Sequence, residues 1–233
     1  MRDPRHRLIV ALDVSSAGAA RNIVAALGDS VHMYKVGMQL YTAEGPAVVR
    51  DLLASGRQVF LDLKYHDIPN TTAAAVREAA QLGVSMLTVH ASGGSKMLRA
   101  ATDAAAGHPT PPLVLAVTVL TSLDGNDLDK LGVRATVVDQ ALRLAAMALS
   151  NGCRGVVASA HEASALREEF GPDFVIVTPG VRPAGSGRGD QVRVVTPAEA
   201  IAAGANHIVV GRPITEAPDP AAEARAILGQ IGS

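Results

Sequence analysis

The chain contains one cysteine, Cys153, and no tryptophan. A single thiol excludes an intrachain disulfide, and within Gly152-Cys153-Arg154-Gly155-Val156-Val157, a helix-to-strand turn by its pattern, it reads as a small apolar side chain rather than a nucleophile. Aromatic residues make up only 3% of the 233 residues, and the formal net charge is −1. With so few stacking platforms and no basic excess, neither DNA nor RNA is an expected partner. Long apolar runs are missing as well. The stretch Leu8 to Leu12 is stopped by Asp13, too short for a secretory signal or a membrane span, so a cytoplasmic protein with no membrane partner is expected. Lysine is scarce: it occurs at Lys35, Lys64, Lys96 and Lys130, and Arg supplies the other side-chain cations. Where Lys persists against such a bias, a compact ammonium able to release a proton is indicated, which guanidinium does poorly. That singles out Lys35 and Lys64 at strand ends, while Lys96 and Lys130 read as surface.

What the chain has in abundance is apolar sequence, 48% of its residues, punctuated by 22 Gly and 13 Pro. Short β-branched runs recur at Leu8 to Val14, Met33 to Gly37, Val59 to Lys64, Met86 to His90, Leu113 to Leu120, Gly155 to Ser159, Val175 to Pro179 and His207 to Arg212. Between them, Ala17 to Leu27, Ala43 to Ser55, Thr71 to Leu82, Lys96 to Ala106, Thr136 to Ser150, Glu162 to Phe170 and Pro197 to Ala203 have helical spacing, and Pro220 to Ile231 closes the chain. Strands apolar on both faces and alternating with helices predict an α/β protein with a parallel sheet covered by helices. The repetition predicts a closed (β/α)8 TIM barrel that forms a single domain over residues 1–233. A doubly wound open sheet lacks its Gly-x-Gly-x-x-Gly after the first strand.

A barrel places its chemistry at the C-terminal ends of its strands. The polar residues fall there: Asp13, Lys35, Asp62 with Lys64, His90, Thr121, Ser159, Pro179-Gly180 and Gly211-Arg212 each end or follow a strand. In Val59-Phe60-Leu61-Asp62-Leu63-Lys64 a period of two points Asp62 and Lys64 to one face, with Cα atoms about 7 Å apart. Desolvating such charges costs several kcal/mol unless they are paired, which favours a working site. After strand seven, Pro183-Ala184-Gly185-Ser186-Gly187-Arg188-Gly189-Asp190 reads as a Gly-rich lid, and no Gly-Lys-Ser/Thr follows to make it a Walker loop. His66 and His90 lie near the mouth in supporting or packing roles, Gly93-Gly94 reads as a plain turn into a helix, and no spacing of His, Asp, Glu or Cys makes a metal set.

The stretch Asp62-Leu63-Lys64-Tyr65-His66-Asp67-Ile68-Pro69-Asn70-Thr71 resembles the signature of the orotidine 5′-monophosphate decarboxylase family. Leu8 to Asp13, Tyr34 to Gly37, Ala116 to Ser122, Thr178 to Pro183, Gly189 to Gln191 and Val209 to Arg212 match its bacterial members in order and spacing. The resemblance spans essentially the whole chain. It implies a decarboxylation without cofactor or metal, in which CO2 leaves C6 of the substrate orotidine 5′-monophosphate and Lys64 supplies the proton. Asp62 then lies near the departing carboxylate, and Lys35 and Asp67 continue an alternating charge array. Asp67 and Thr71 come from the neighbouring subunit, which implies a homodimer with shared sites. Asp13 and Lys35 resemble a ribose-binding pair, and Thr121, with Ser122, the pyrimidine contact. Pro179, Arg182, Gln191, Gly211 and Arg212 complete the substrate site, the last four as its phosphate grip.

Two other readings fit parts of the pattern. The 3-keto-L-gulonate 6-phosphate decarboxylases and hexulose phosphate synthases resemble the Asp-x-Lys-x-x-Asp motif but use Mg2+, and they tend to carry an acidic residue where this chain has Lys35. A non-catalytic barrel that binds a phosphorylated ligand is disfavoured by the intact Lys64.

Overall fold

The structure, a computed structural model, describes residues 4–183 and 195–232. Eight parallel strands close into a barrel in sequential order: β1 (Leu8–Ala11), β2 (Met33–Gly37), β3 (Gln58–Tyr65), β4 (Met86–His90), β5 (Leu113–Val117), β6 (Gly155–Val157), β7 (Val175–Thr178) and β8 (His207–Val210), with β8 paired back to β1. The expected (β/α)8 architecture is therefore observed. Alternation along each strand divides the core. Ile9, Met33, Phe60, Met86, Leu115, Val117, Val177 and Val209 fill the barrel interior. Leu8, Val10, Tyr34, Val36, Leu61, Leu87 and Ile208 face the helical layer. Gly155 marks the tightest part of the interior, because a Cβ there would lie 2.3 Å from the Val175 carbonyl oxygen and 2.9 Å from a Leu115 methyl carbon. Among the described residues no helix is long and apolar enough to cross a membrane.

Several boundaries differ from the sequence-based expectation. Strands β1, β5, β6 and β8 end two or more residues earlier than their apolar runs, at Ala11, Val117, Val157 and Val210. Beyond those points Val119, Leu120 and Ala158 line the mouth, whereas Leu12 stays buried against the helical layer and donates its amide to the Lys35 carbonyl at 3.0 Å. Arg212, expected at a strand end, instead begins the short helix Arg212–Thr215. The segment from Ala43 to Ser55 is not one helix: Met38–Glu44 ends at Gly45 with φ 63°, and Ala47–Ala54 begins after Pro46. A further short helix, Gly125–Lys130, is set by a capping box between Asp124 and Asp127.

One side chain ties the last two strands together. Arg167, on helix Ala160–Phe170, donates from Nε to the Gly204 carbonyl at 3.0 Å and from Nη1 to the Gly171 and Phe174 carbonyls at 3.2 and 2.9 Å. Its Nη2 donates to Asn206 Oδ1, which also accepts from the β7 amide of Ile176, and the guanidinium lies 4.6 Å from the Phe174 ring centroid. A five-donor fork is needed to serve these acceptors together. Arg167→Ala is expected to lower stability by about 3 kcal/mol and Tm by about 5–10 °C, with Arg167→Lys recovering less than half of the loss. Thermal unfolding followed by circular dichroism checks this, and a change below 2 °C for Arg167→Ala contradicts it.

Candidate active site

The C-terminal ends of the strands other than β4 line a cavity of about 540 Å³. Its floor is apolar, formed by Ala11, Phe60, Val117, Val157 and Val209, and its walls carry Asp13, Lys35, Asp62 and Lys64 on one side and Arg182, Gly211 and Arg212 on another. Such a mixture of apolar floor and convergent polar groups suits a polar ligand of nucleotide size. Thr121 and Pro179 line it too.

The charged side chains form a continuous alternating row. Asp13 Oδ1 lies 3.1 Å from Lys35 Nζ, Lys35 Nζ lies 3.7 Å from Asp62 Oδ2, and Lys64 Nζ lies 2.9 Å from both Asp62 oxygens. The side chains of Lys35, Asp62 and Lys64 are only 12%, 11% and 24% exposed, whereas that of Asp13 is 55% exposed. The inner three are therefore largely removed from water, where their mutual attraction is strong and each depends on its partners. Gly37, opposite Asp62 in the β2–β3 pairing, leaves room for this row, since a Cβ there would stand 2.9 Å from Lys35 Nζ and 3.4 Å from Asp13 Oδ1.

Strand β3 is not the regular strand that its alternation predicts. It pairs with β4 at Phe60↔Met86 and Leu61↔Leu87, but the next pair is Tyr65↔Val89, so four steps along β3 face two along β4. Within this bulge Lys64 has φ 52°, the single non-glycine residue with positive φ among those described. Such a conformation costs about 1–3 kcal/mol and is held by its surroundings. The holding group is Thr88 on β4, fully buried, whose hydroxyl accepts from the Lys64 amide at 2.9 Å and donates to Asp62 Oδ1 at 3.0 Å. The sequence reading missed Thr88. Its signal was a polar residue on the inward period of an otherwise apolar strand, between Met86 and His90.

The other expected residues divide into three groups. Arg182 is buried and Arg212 exposed on the same cavity wall. Asp67, Thr71 and Ser122 are exposed and do not line the cavity of their own chain. Asp67 Oδ1 accepts from the following amide, of Ile68, at 2.6 Å, so within one chain Asp13 rather than Asp67 completes the four-charge row. Gln191 and the Gly-rich segment 184–190 lie outside the described residues. Gln39, Leu120 and Glu216 also line the cavity and were not anticipated.

His66 and His90 stack with ring centroids 5.3 Å apart and planes tilted by 40°. Burial, then the neighbouring His66 and Lys64, hold the His90 pKa below the ordinary histidine value, against an opposing pull from Asp62. These surroundings favour the neutral imidazole of His90. Cys153 is buried, and burial pushes its thiol up to about 12, in keeping with an inert packing role. Among the described residues no three His, Cys, Asp or Glu side chains are grouped to hold a metal ion.

A closed (β/α)8 barrel with a largely desolvated carboxylate–ammonium row at the C-terminal ends of its strands has the site of a barrel enzyme, where chemistry collects at that face. Comparison with known proteins narrows that class. The chain belongs to the orotidine 5′-phosphate decarboxylase / HUMPS family, whose model matches residues 6–227. It is 53% identical to the orotidine 5′-phosphate decarboxylase of Moorella thermoacetica, over 97% of this chain and 92% of that one. It is 52% identical to the enzyme of the same name from Halorhodospira halophila, over 97% and 96% of the two chains. Among solved structures, that of orotidine 5′-phosphate decarboxylase from Lactobacillus acidophilus superposes with a TM-score of 0.86 at 41% identity, covering 98% of this chain and all of the other.

Proposed function

We propose that this chain decarboxylates orotidine 5′-monophosphate to uridine 5′-monophosphate and CO2 in pyrimidine biosynthesis, with no cofactor. The observation that carries the reading is the Lys64 ammonium, held at 2.9 Å from both Asp62 oxygens at the edge of a nucleotide-sized cavity. Breaking the bond between C6 and the carboxylate leaves an electron pair in an in-plane orbital that the ring π system cannot delocalise. A fixed ammonium beside C6 stabilises that pair as it forms, and its proton then makes the new C6–H bond. Lys64 is left as a neutral amine and regains a proton from solvent after product leaves.

Asp62, 11% exposed at its side chain, faces the leaving carboxylate and holds the Lys64 Nζ at 2.9 Å. Lys35 and Asp13 hold the ribose, and Thr121, which lines the cavity with Pro179, contacts the pyrimidine edge. Arg182 and Arg212, with Gln191 and the Gly211 backbone, grip the phosphate, where the planar guanidinium fork suits its oxygens. Asp67 and Thr71, which stand outside the cavity of their own chain, serve the site of a second subunit in a homodimer. The enzyme works in the cytoplasm.

The test follows orotidine 5′-monophosphate absorbance with purified protein in EDTA. Turnover is expected. A requirement for added Mg2+ with a sugar phosphate instead supports the other branch of the family, and nucleotide binding without turnover marks a barrel that only binds. In Asp62 the chain presents a carboxylate already engaged by two ammonium groups, at 2.9 and 3.7 Å, an arrangement that opposes a divalent cation at the same oxygens.

A further inference from the structure

We propose that Thr88 is a positioning residue for the reaction: its one hydroxyl fixes both the backbone of Lys64 and the carboxylate of Asp62. The proposal rests on Lys64 being the proton donor. A hydroxyl has a single proton and two lone pairs. Here the proton goes to Asp62 Oδ1 at 3.0 Å, and a lone pair takes the Lys64 amide at 2.9 Å. Asp62 Oδ1 in turn accepts from Lys64 Nζ at 2.9 Å, so amide, hydroxyl, carboxylate and ammonium close a ring through one residue's backbone and side chain.

That ring explains how a left-handed lysine persists at the end of a strand. In a regular continuation of β3 the ladder would take the Lys64 amide and the bulge would relax. Alternation would leave Lys64 on the inward face, but the two residues that the bulge absorbs would advance along the ladder and carry Lys64 away from its present place beside Asp62. Thr88 supplies the amide with an alternative acceptor inside the barrel and thereby keeps Nζ in the row with Asp62 and Lys35. Its methyl and hydroxyl are fully buried, so no water takes over the hydroxyl's task.

The test compares Thr88→Val, which keeps the shape and removes the hydroxyl, with Thr88→Ser, which keeps the hydroxyl. Thr88→Val is expected to lower kcat about 10²-fold, the scale of a misplacement of about 1 Å in a reacting group, while KM changes less than about threefold. Thr88→Ser is expected to recover most of the loss. A crystal structure of Thr88→Val, which does not depend on activity, is expected to show Lys64 out of the left-handed region or Nζ displaced from Asp62. The proposal is overturned if Thr88→Val keeps kcat within threefold, if Thr88→Ser falls as far as Thr88→Val, or if Lys64 keeps its φ and its contact with Asp62 in the variant. It is equally overturned if Thr88→Val and Thr88→Ala both fail to fold, since the hydroxyl would then serve stability. Failure of the decarboxylase reading itself shows separately, as an unmutated enzyme with no turnover.

Discussion

Replacing Lys64 with alanine is expected to lower kcat by at least about 10⁴-fold while leaving the barrel folded. Two losses combine: a positioned general acid contributes about 10²–10⁴, and a preorganised charge at the site of developing negative charge about 10²–10³. A 10⁴-fold loss is about 5.4 kcal/mol of barrier. Stability changes much less, because Asp62, largely buried, keeps the Thr88 hydroxyl at 3.0 Å and the Lys35 ammonium at 3.7 Å after Lys64 is gone. The carboxylate is therefore not abandoned without a partner, the situation in which breaking a buried pair is most damaging. Lys64→Arg separates the two contributions: it keeps a cation but cannot release the proton, and activity stays below about 1% of the parent. Single-turnover kinetics with matched thermal melts check both variants. A loss under tenfold in Lys64→Ala removes it as the proton donor.

The barrel and most of this site were legible in the sequence because both rest on local periodicity. Apolar β-branched runs alternating with helices give the topology, and the C-terminal ends of those runs give the cavity wall on which Asp13, Lys35, Asp62, Lys64, Thr121 and Arg212 meet, whereas Arg182 was indicated by the family resemblance alone. Periodicity does not tell where ladder pairing stops, and so β5 was read to Leu120 although pairing ends at Val117. Nor does it register a bulge. The alternation through Asp62 and Lys64 put both side chains on the correct face but for the wrong backbone, since Lys64 reaches it from φ 52°. What fixes that conformation is a hydrogen bond to Thr88, 24 positions away; the inward polar residue shows in the spacing of β4, but its pairing with the Lys64 amide does not. The short helix Gly125–Lys130 was legible in principle through its Asp124–Asp127 capping box, a signal outweighed by the low apolar content around it.

A mixture of Lys64→Ala and Asp67→Asn chains is expected to regain activity that neither homodimer has. Within one chain Asp67 is exposed, its carboxylate turned back to the Ile68 amide, and absent from the cavity that holds Lys64. Three residues beyond Lys64 and past the end of β3, Asp67 sits exposed on the connection to helix Pro69–Gln81. In an isologous dimer each mouth would receive the other chain's Asp67. The Asp67→Asn chain then contributes an intact Lys64, and the Lys64→Ala chain lends it an intact Asp67. One site of each heterodimer is complete, and the other has lost both groups. With random reassortment about half the dimers are heterodimers, so recovered activity approaches about a quarter of the parent value. Differential tags on the two chains establish exchange, and activity is measured after unfolding and refolding them together. If tagged heterodimers form and activity stays at the level of the separate variants, Asp67 acts within its own chain, and the loop after β3 must move to bring it to Lys64.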